Sequence, residues 1–194
     1  MPEPPDPIDN PLLMAPDNCV LMVIDMQEKL APVIDGWEYV VWNIRRLLDG
    51  AKILDVPALG TEHYPQGLGK TVSPLAEKIG ELPCKLQFSG CGCGAVLDKL
   101  QEFGRPKILL AGVETHVCVQ QTALDLLALG YEVYLAADAV SSRYPRDTEI
   151  ALRRMDSSGV TLTTTEAALF EWCRVAGTPE FKQIGKLVRE ERPQ

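Results

Sequence analysis

The stretch Cys19-Val-Leu-Met-Val-Ile-Asp25 decides the fold. An unbroken apolar run ended by a carboxylate suits a strand buried on both faces, as in a parallel sheet covered by helices. Pro106-Lys-Ile-Leu-Leu-Ala-Gly112 repeats the pattern, and Tyr131-Glu-Val-Tyr-Leu-Ala-Ala137 predicts a third strand ending at Asp138. Gly159 to Thr163 reads as the last strand. Val56 to Gly60 is a short one leading into a loop with Glu62, His63, Gly67 and Gly69, and residues 84–88 form a short extended piece.

Between these runs the period changes. Val40, Val41, Ile44, Leu47, Leu48, Ala51 and Leu54 recur at three and four, which marks one face of a helix. Ser73-Pro74 reads as a cap followed by proline at the first helical position. Further helices are predicted over Ala95–Phe103, over Thr115–Leu129 with Gly130 closing it, and over Arg146–Asp156. Thr163 with Glu166 spells a capping box that opens a helix through Trp172 to Val175. Strands alternating with helices predict an α/β fold: a three-layer α/β/α sandwich around an open, mostly parallel, Rossmann-like sheet. In such sheets ligands sit outside the carboxyl ends of the strands. That rule points to Asp25, the loop after Leu59, the segment from Gly112 to Cys118, and Asp138.

The 194 residues suit one domain over 18–194, preceded by a tail over 1–17 with five prolines among its first eleven positions. Leu12, Leu13 and Met14 in that tail are able to dock. A chain of 46% hydrophobic and 24% charged residues reads as an ordinary globule, and no run approaches the ~18 apolar residues of a membrane span. The net charge of -8 and the absence of a basic run argue against a nucleic-acid partner. Arg143, Arg146, Arg153 and Arg154 are interleaved with Asp147, Glu149 and Asp156, the pattern of a solvated face or an interface. The six cysteines do not form a disulfide framework, and no apolar segment follows a basic start, so thiols in a reducing cytoplasm are expected.

Three residues stand out chemically. Asp25 ends a strand and either caps the next segment or presents a carboxylate at the sheet edge. Lys85 lies in a short apolar stretch, where it is either an exposed edge lysine or a buried one paired with a carboxylate. Cys118 falls in the first turn of a helix just beyond a strand. There it is either a buried small hydrophobe or a thiol whose pKa the free N–H groups and the helix terminus lower.

In the order Asp, Lys, Cys these residues carry a resemblance. Val-Ile-Asp25-Met-Gln27, Lys85 with Phe88-Ser89, and Ala-Gly-Val-Glu-Thr-His-Val-Cys118-Val resemble the three signatures of isochorismatase-like cysteine hydrolases. Asp138-Ala-Val-Ser-Ser142 and Thr-Thr-Thr-Glu-Ala-Ala168 also match, so the resemblance covers Cys19 to Trp172. It implies a cysteine-dependent hydrolase acting on the C–N bond of a small-molecule amide through a thioester, with Asp25 as general base, Lys85 holding it and Cys118 attacking. It further implies an oxyanion hole from the N–H groups of Glu114 and Cys118, a cis peptide at Val113–Glu114, and a homo-oligomer. His63, Tyr64 and Thr115 are the expected pocket residues.

No cofactor is implied. Nicotinamidases of the superfamily carry a metal in an Asp-x-His loop, whereas this chain has Thr-Glu62-His63-Tyr-Pro65 and only two histidines, His63 and His116, so no metal is expected. Isochorismatases proper lack the cysteine. Cys91-Gly-Cys93-Gly reads as a glycine-rich helix entry rather than a metal motif. Two alternatives stay open: a non-catalytic binding member of the fold, and a thiol redox sensor using Cys118.

Overall fold

In the computed structural model, which describes residues 10–80 and 82–193, the apolar runs form one six-stranded sheet. Strands β1 (Cys19–Ile24), β2 (Ala58–His63), β3 (Cys84–Lys85), β4 (Lys107–Val113), β5 (Glu132–Ser141) and β6 (Thr161–Thr163) lie in the order β3-β2-β1-β4-β5-β6, all parallel. The helices are α1 (Trp37–Ile53), the single turn α2 (Pro65–Leu68), α3 (Ser73–Ile79), α4 (Gly94–Phe103), α5 (Gln120–Ala128), α6 (Pro145–Ser157), α7 (Thr165–Cys173) and α8 (Pro179–Val188). One face of the sheet packs on α1, α3, α7 and α8, the other on α4, α5 and α6, which completes the three layers.

Every residue of β1 and β4 is buried. Side chains of β1 alternate between the two cores: Cys19, Leu21 and Val23 join one, and Val20, Met22 and Ile24 the other. Each large apolar side chain so buried contributes about 1.5–3 kcal/mol, which is why this strand tolerates no polar residue before Asp25. The expected tail docks over residues 10–17. Met14 is fully buried, Tyr134 donates its hydroxyl to the Leu12 carbonyl at 3.0 Å, and Lys107 donates to the carbonyls of Leu13 and Pro11. Residues 1–9 of that tail lie outside the described residues.

Several expected boundaries move, each because of a partner distant in the chain. β2 extends to His63, since Glu62 and His63 pair with Cys84 and Lys85. β5 does not stop at Asp138 but continues to Ser141. Its register against β4 jumps from Leu110↔Leu135 to Gly112↔Val140, and the Asp138 carboxylate accepts from the N–H and hydroxyl of Thr165 at 2.8 and 3.0 Å. Thr164, not Thr163, caps α7 by accepting from the Ala167 N–H, and Thr163 remains in β6. Val72 precedes α3 and its carbonyl takes the Leu75 and Ala76 N–H groups, so Ser73 is already helical. The helix expected from Thr115 opens as a π turn over Thr115–Val119 before α5. Thr178 accepts from the Phe181 N–H and, with Pro179, starts α8, a helix outside the predicted set.

Candidate active site

The strand order reverses between β1 and β4, and their carboxyl ends frame the crevice expected at such a point. Asp25 leaves β1 with φ 50, turning its carboxylate inward. Oδ1 accepts from the Thr61 hydroxyl at 2.7 Å and Oδ2 from Lys85 Nζ at 2.6 Å. Both side chains of this ion pair are fully buried. An ammonium out of water is tolerated only when its donors are used. Lys85 meets that condition, donating also to the carbonyls of Phe88 and Gln87 at 2.8 and 3.3 Å.

Cys118 approaches from the π turn after β4. Gly112 permits this path: its φ is 122, and a Cβ there would meet the Ile24 carbonyl oxygen at 2.2 Å. The Val113–Glu114 peptide is cis. The Glu114 carbonyl accepts from the N–H groups of Val117 and Val119, passing over Cys118, and the Thr122 hydroxyl donates to the Cys118 carbonyl at 2.6 Å. Cys118 is 5% exposed, and its thiol interacts with both Asp25 and Lys85. Burial first, and the Asp25 charge second, push it up to about 12, against the opposing pull of Lys85. The lowered thiol pKa expected from the helix terminus is therefore not found. Desolvation and a full negative charge outweigh the partial charge of a terminus.

The isochorismatase domain family matches residues 19–167. Rat (Rattus norvegicus) isochorismatase domain-containing protein 2 is 42% identical over 180 residues, spanning 92% of this chain and 85% of the relative. The chain belongs to the isochorismatase family. The structure of a protein described as MAR1 ribonuclease from Caenorhabditis elegans superposes with a TM-score of 0.87 at 38% identity, covering 94% of this chain and 95% of that one. The YcaC product of Escherichia coli, described as an octameric hydrolase of unknown specificity, shares the fold with a TM-score of 0.84 at 20% identity, covering 91% and 90%.

Within this isochorismatase-family chain the expected pocket residues take different places. His63 is half-buried, its ring 5.2 Å from that of Phe88, and burial followed by the Lys85 charge lowers its pKa. Its Nδ1 and the hydroxyl of fully buried Thr115 have no hydrogen-bond partner among the described residues. Tyr64 is half-exposed, with its ring against Gly67. No cluster of three or more metal-binding side chains occurs among the described residues. Cys91 and Cys93 are free thiols, and the Cys93 thiol donates to the Cys84 carbonyl at 3.6 Å. No described helix is long and apolar enough to cross a membrane.

Thr61 and the partners of Gln27 were not legible from sequence. Gln27, fully buried, donates to the carbonyls of His63 and Gly69 at 3.0 and 2.7 Å and accepts from the His63 N–H at 2.8 Å. It ties the end of β2 to the turn holding Asp25. Its place in the Asp25-Met-Gln27 motif was the available signal, because a buried amide demands partners.

Proposed function

We propose that this protein is a cysteine hydrolase that cleaves the C–N bond of a small amide through a Cys118 thioester. The observation that carries this reading is the fully buried Lys85–Asp25 pair at 2.6 Å, with the Cys118 thiol against it. Family membership supports the coarser hydrolase role.

The chemistry follows from charge balance. As the sulfur adds to the carbonyl carbon, its proton passes to Asp25, so the site exchanges the carboxylate charge for that of the oxyanion beside an unchanged ammonium. This makes a thiol pKa of about 12 compatible with attack at neutral pH, since the proton goes to Asp25 and not to water. The N–H groups of Glu114 and Cys118 receive the oxyanion. Asp25 returns the proton to the departing amine, then takes one from the water that cleaves the thioester. Lys85 keeps its charge throughout and holds the carboxylate in place.

A cysteine only 5% exposed suits a narrow substrate, with His63, Thr115 and Tyr64 as the pocket. A net charge of -8, with Arg143, Arg146 and Arg153 each engaged by glutamates, disfavours an RNA substrate. Half-exposed Tyr64 and Phe88, with exposed Leu86, offer apolar surface for self-association in a reducing cytoplasm. The test is ammonia release across a panel of small amides. Turnover by the unmodified protein that vanishes in Cys118→Ala is expected, and turnover surviving that change would overturn the proposal.

A further inference from the structure

Two consecutive residues at the end of β5 grip the turn that carries Cys118. Fully buried Ser142 pairs its Oγ with His116 Nδ1 at 2.9 Å. Arg143 donates to the Glu114 carboxylate three times: from its backbone N–H at 3.1 Å, from Nε at 3.1 Å and from Nη2 at 3.2 Å. The Glu114 side chain is 8% exposed, so little water shares its charge. Both of its oxygens accept from Arg143. A guanidinium fork fixes a carboxylate in plane as well as in distance, which a single-point contact does not.

The grip is itself anchored. The Ser142 carbonyl accepts from the Asp35 N–H at 3.1 Å, and the Ser141 hydroxyl donates to the Asp35 carbonyl at 2.8 Å. The register jump in β5 sets Ser141 opposite Val113, which brings Arg143 to Glu114. His116 Nε2 also lies 3.8 Å from Asp147.

We infer that Arg143 is a positioning residue for acyl transfer at Cys118. By holding the Glu114 side chain, it keeps the Glu114 N–H aimed with that of Cys118 at the oxyanion, and Ser142 braces the same turn through His116. This rests on the nucleophile reading above.

Two probes separate the effect. With p-nitrophenyl acetate, sulfur bonds to the acetyl carbon, the thiol proton passes to Asp25, an oxyanion forms and p-nitrophenolate leaves. With iodoacetamide, sulfur displaces iodide and no oxyanion forms. Arg143→Ala is expected to slow acetylation of Cys118 about tenfold or more while alkylation changes less than about twofold. Arg143→Lys should fall between, because it restores charge without the fork. Arg153→Ala, which breaks a surface pair with Glu149, should match the unmodified protein. Arg143→Ala leaves the Glu114 carboxylate buried with the backbone N–H of position 143 but no cation, so the double variant Glu114→Ala/Arg143→Ala, which removes that stranded charge, must show the same selective loss. The two rates staying unchanged, or falling together, in both variants overturns the inference alone. Absence of acetyl-Cys118 in the unmodified protein overturns the nucleophile reading and this inference with it.

Discussion

The two ends of the sheet each hold a buried lysine and a buried cysteine, yet only at one end does a fully buried carboxylate join them. At the carboxyl edge Lys85 pairs with Asp25, and Cys118 sits against them. At the amino edge Lys107 donates to the carbonyls of Pro11 and Leu13, with the Glu132 carboxylate 3.9 Å away, and Cys19 lies in the core. Burial pushes both thiols up to about 12. For Cys19 the contacts that oppose burial are the Trp172 indole, the Leu109 backbone, and the Arg105 and Lys107 charges. Cys118 instead has a carboxylate beside it, which raises the pKa further and also offers the proton a destination. On the proposed mechanism Cys118 is distinguished from Cys19 by where its proton goes, not by how readily water removes it.

The largest expected effect breaks the comparison at the base. Asp25→Asn should lower amide turnover by about 10²-fold or more, measured by ammonia release, whereas Cys19→Ala should leave it intact. Next come the lysines. Lys85→Ala leaves the Asp25 carboxylate buried and unpaired, and should cost about 3–5 kcal/mol by denaturant unfolding. Lys107→Ala leaves two carbonyls short of a donor and should cost about 1–3 kcal/mol while sparing activity. Equal losses would mean that the Lys85 pairing is not special.

Smaller effects sharpen the contrast by titration. Asp25→Asn removes the second cause of the raised Cys118 pKa and leaves the thiolate as the anion to balance Lys85. Alkylation of Cys118 should then reach its midpoint at lower pH than about 12, with Cys19 unmoved. A native thiol raised from 9.0 to about 12 stabilises the fold fully below pH 9, and that contribution is lost as pH climbs towards about 12. Cys19→Ala should flatten this alkaline slope, and an unchanged slope would exclude Cys19 as its source.

Much of this arrangement was legible in the chain. β1 and the run from Ile108 to Val113 in β4 announce themselves because burial on both faces favours apolar residues; Asp25 follows as the first polar residue beyond β1, and Cys118 lies in the turn beyond β4. Lys85 was ambiguous until a carboxylate from another strand met it. The π turn, the Thr61 hydroxyl, the Arg143 clasp and the jump in β5 depend on partners far along the chain, which no local pattern encodes. The helix after Thr178-Pro179 is different: a threonine cap followed by proline was readable there. The lowered thiol pKa failed for a physical reason, since local chain geometry shows a helix terminus but not the depth of burial around it.

The most direct measurement treats the unmodified protein with p-nitrophenyl acetate at neutral pH and maps the acetyl group by peptide mass. Acetylation confined to Cys118 and absent from Cys19 is the predicted result. Acetyl groups spread over exposed Cys84 and the half-buried Cys91 and Cys93, or none on Cys118, would contradict the assignment of Cys118 as the nucleophile.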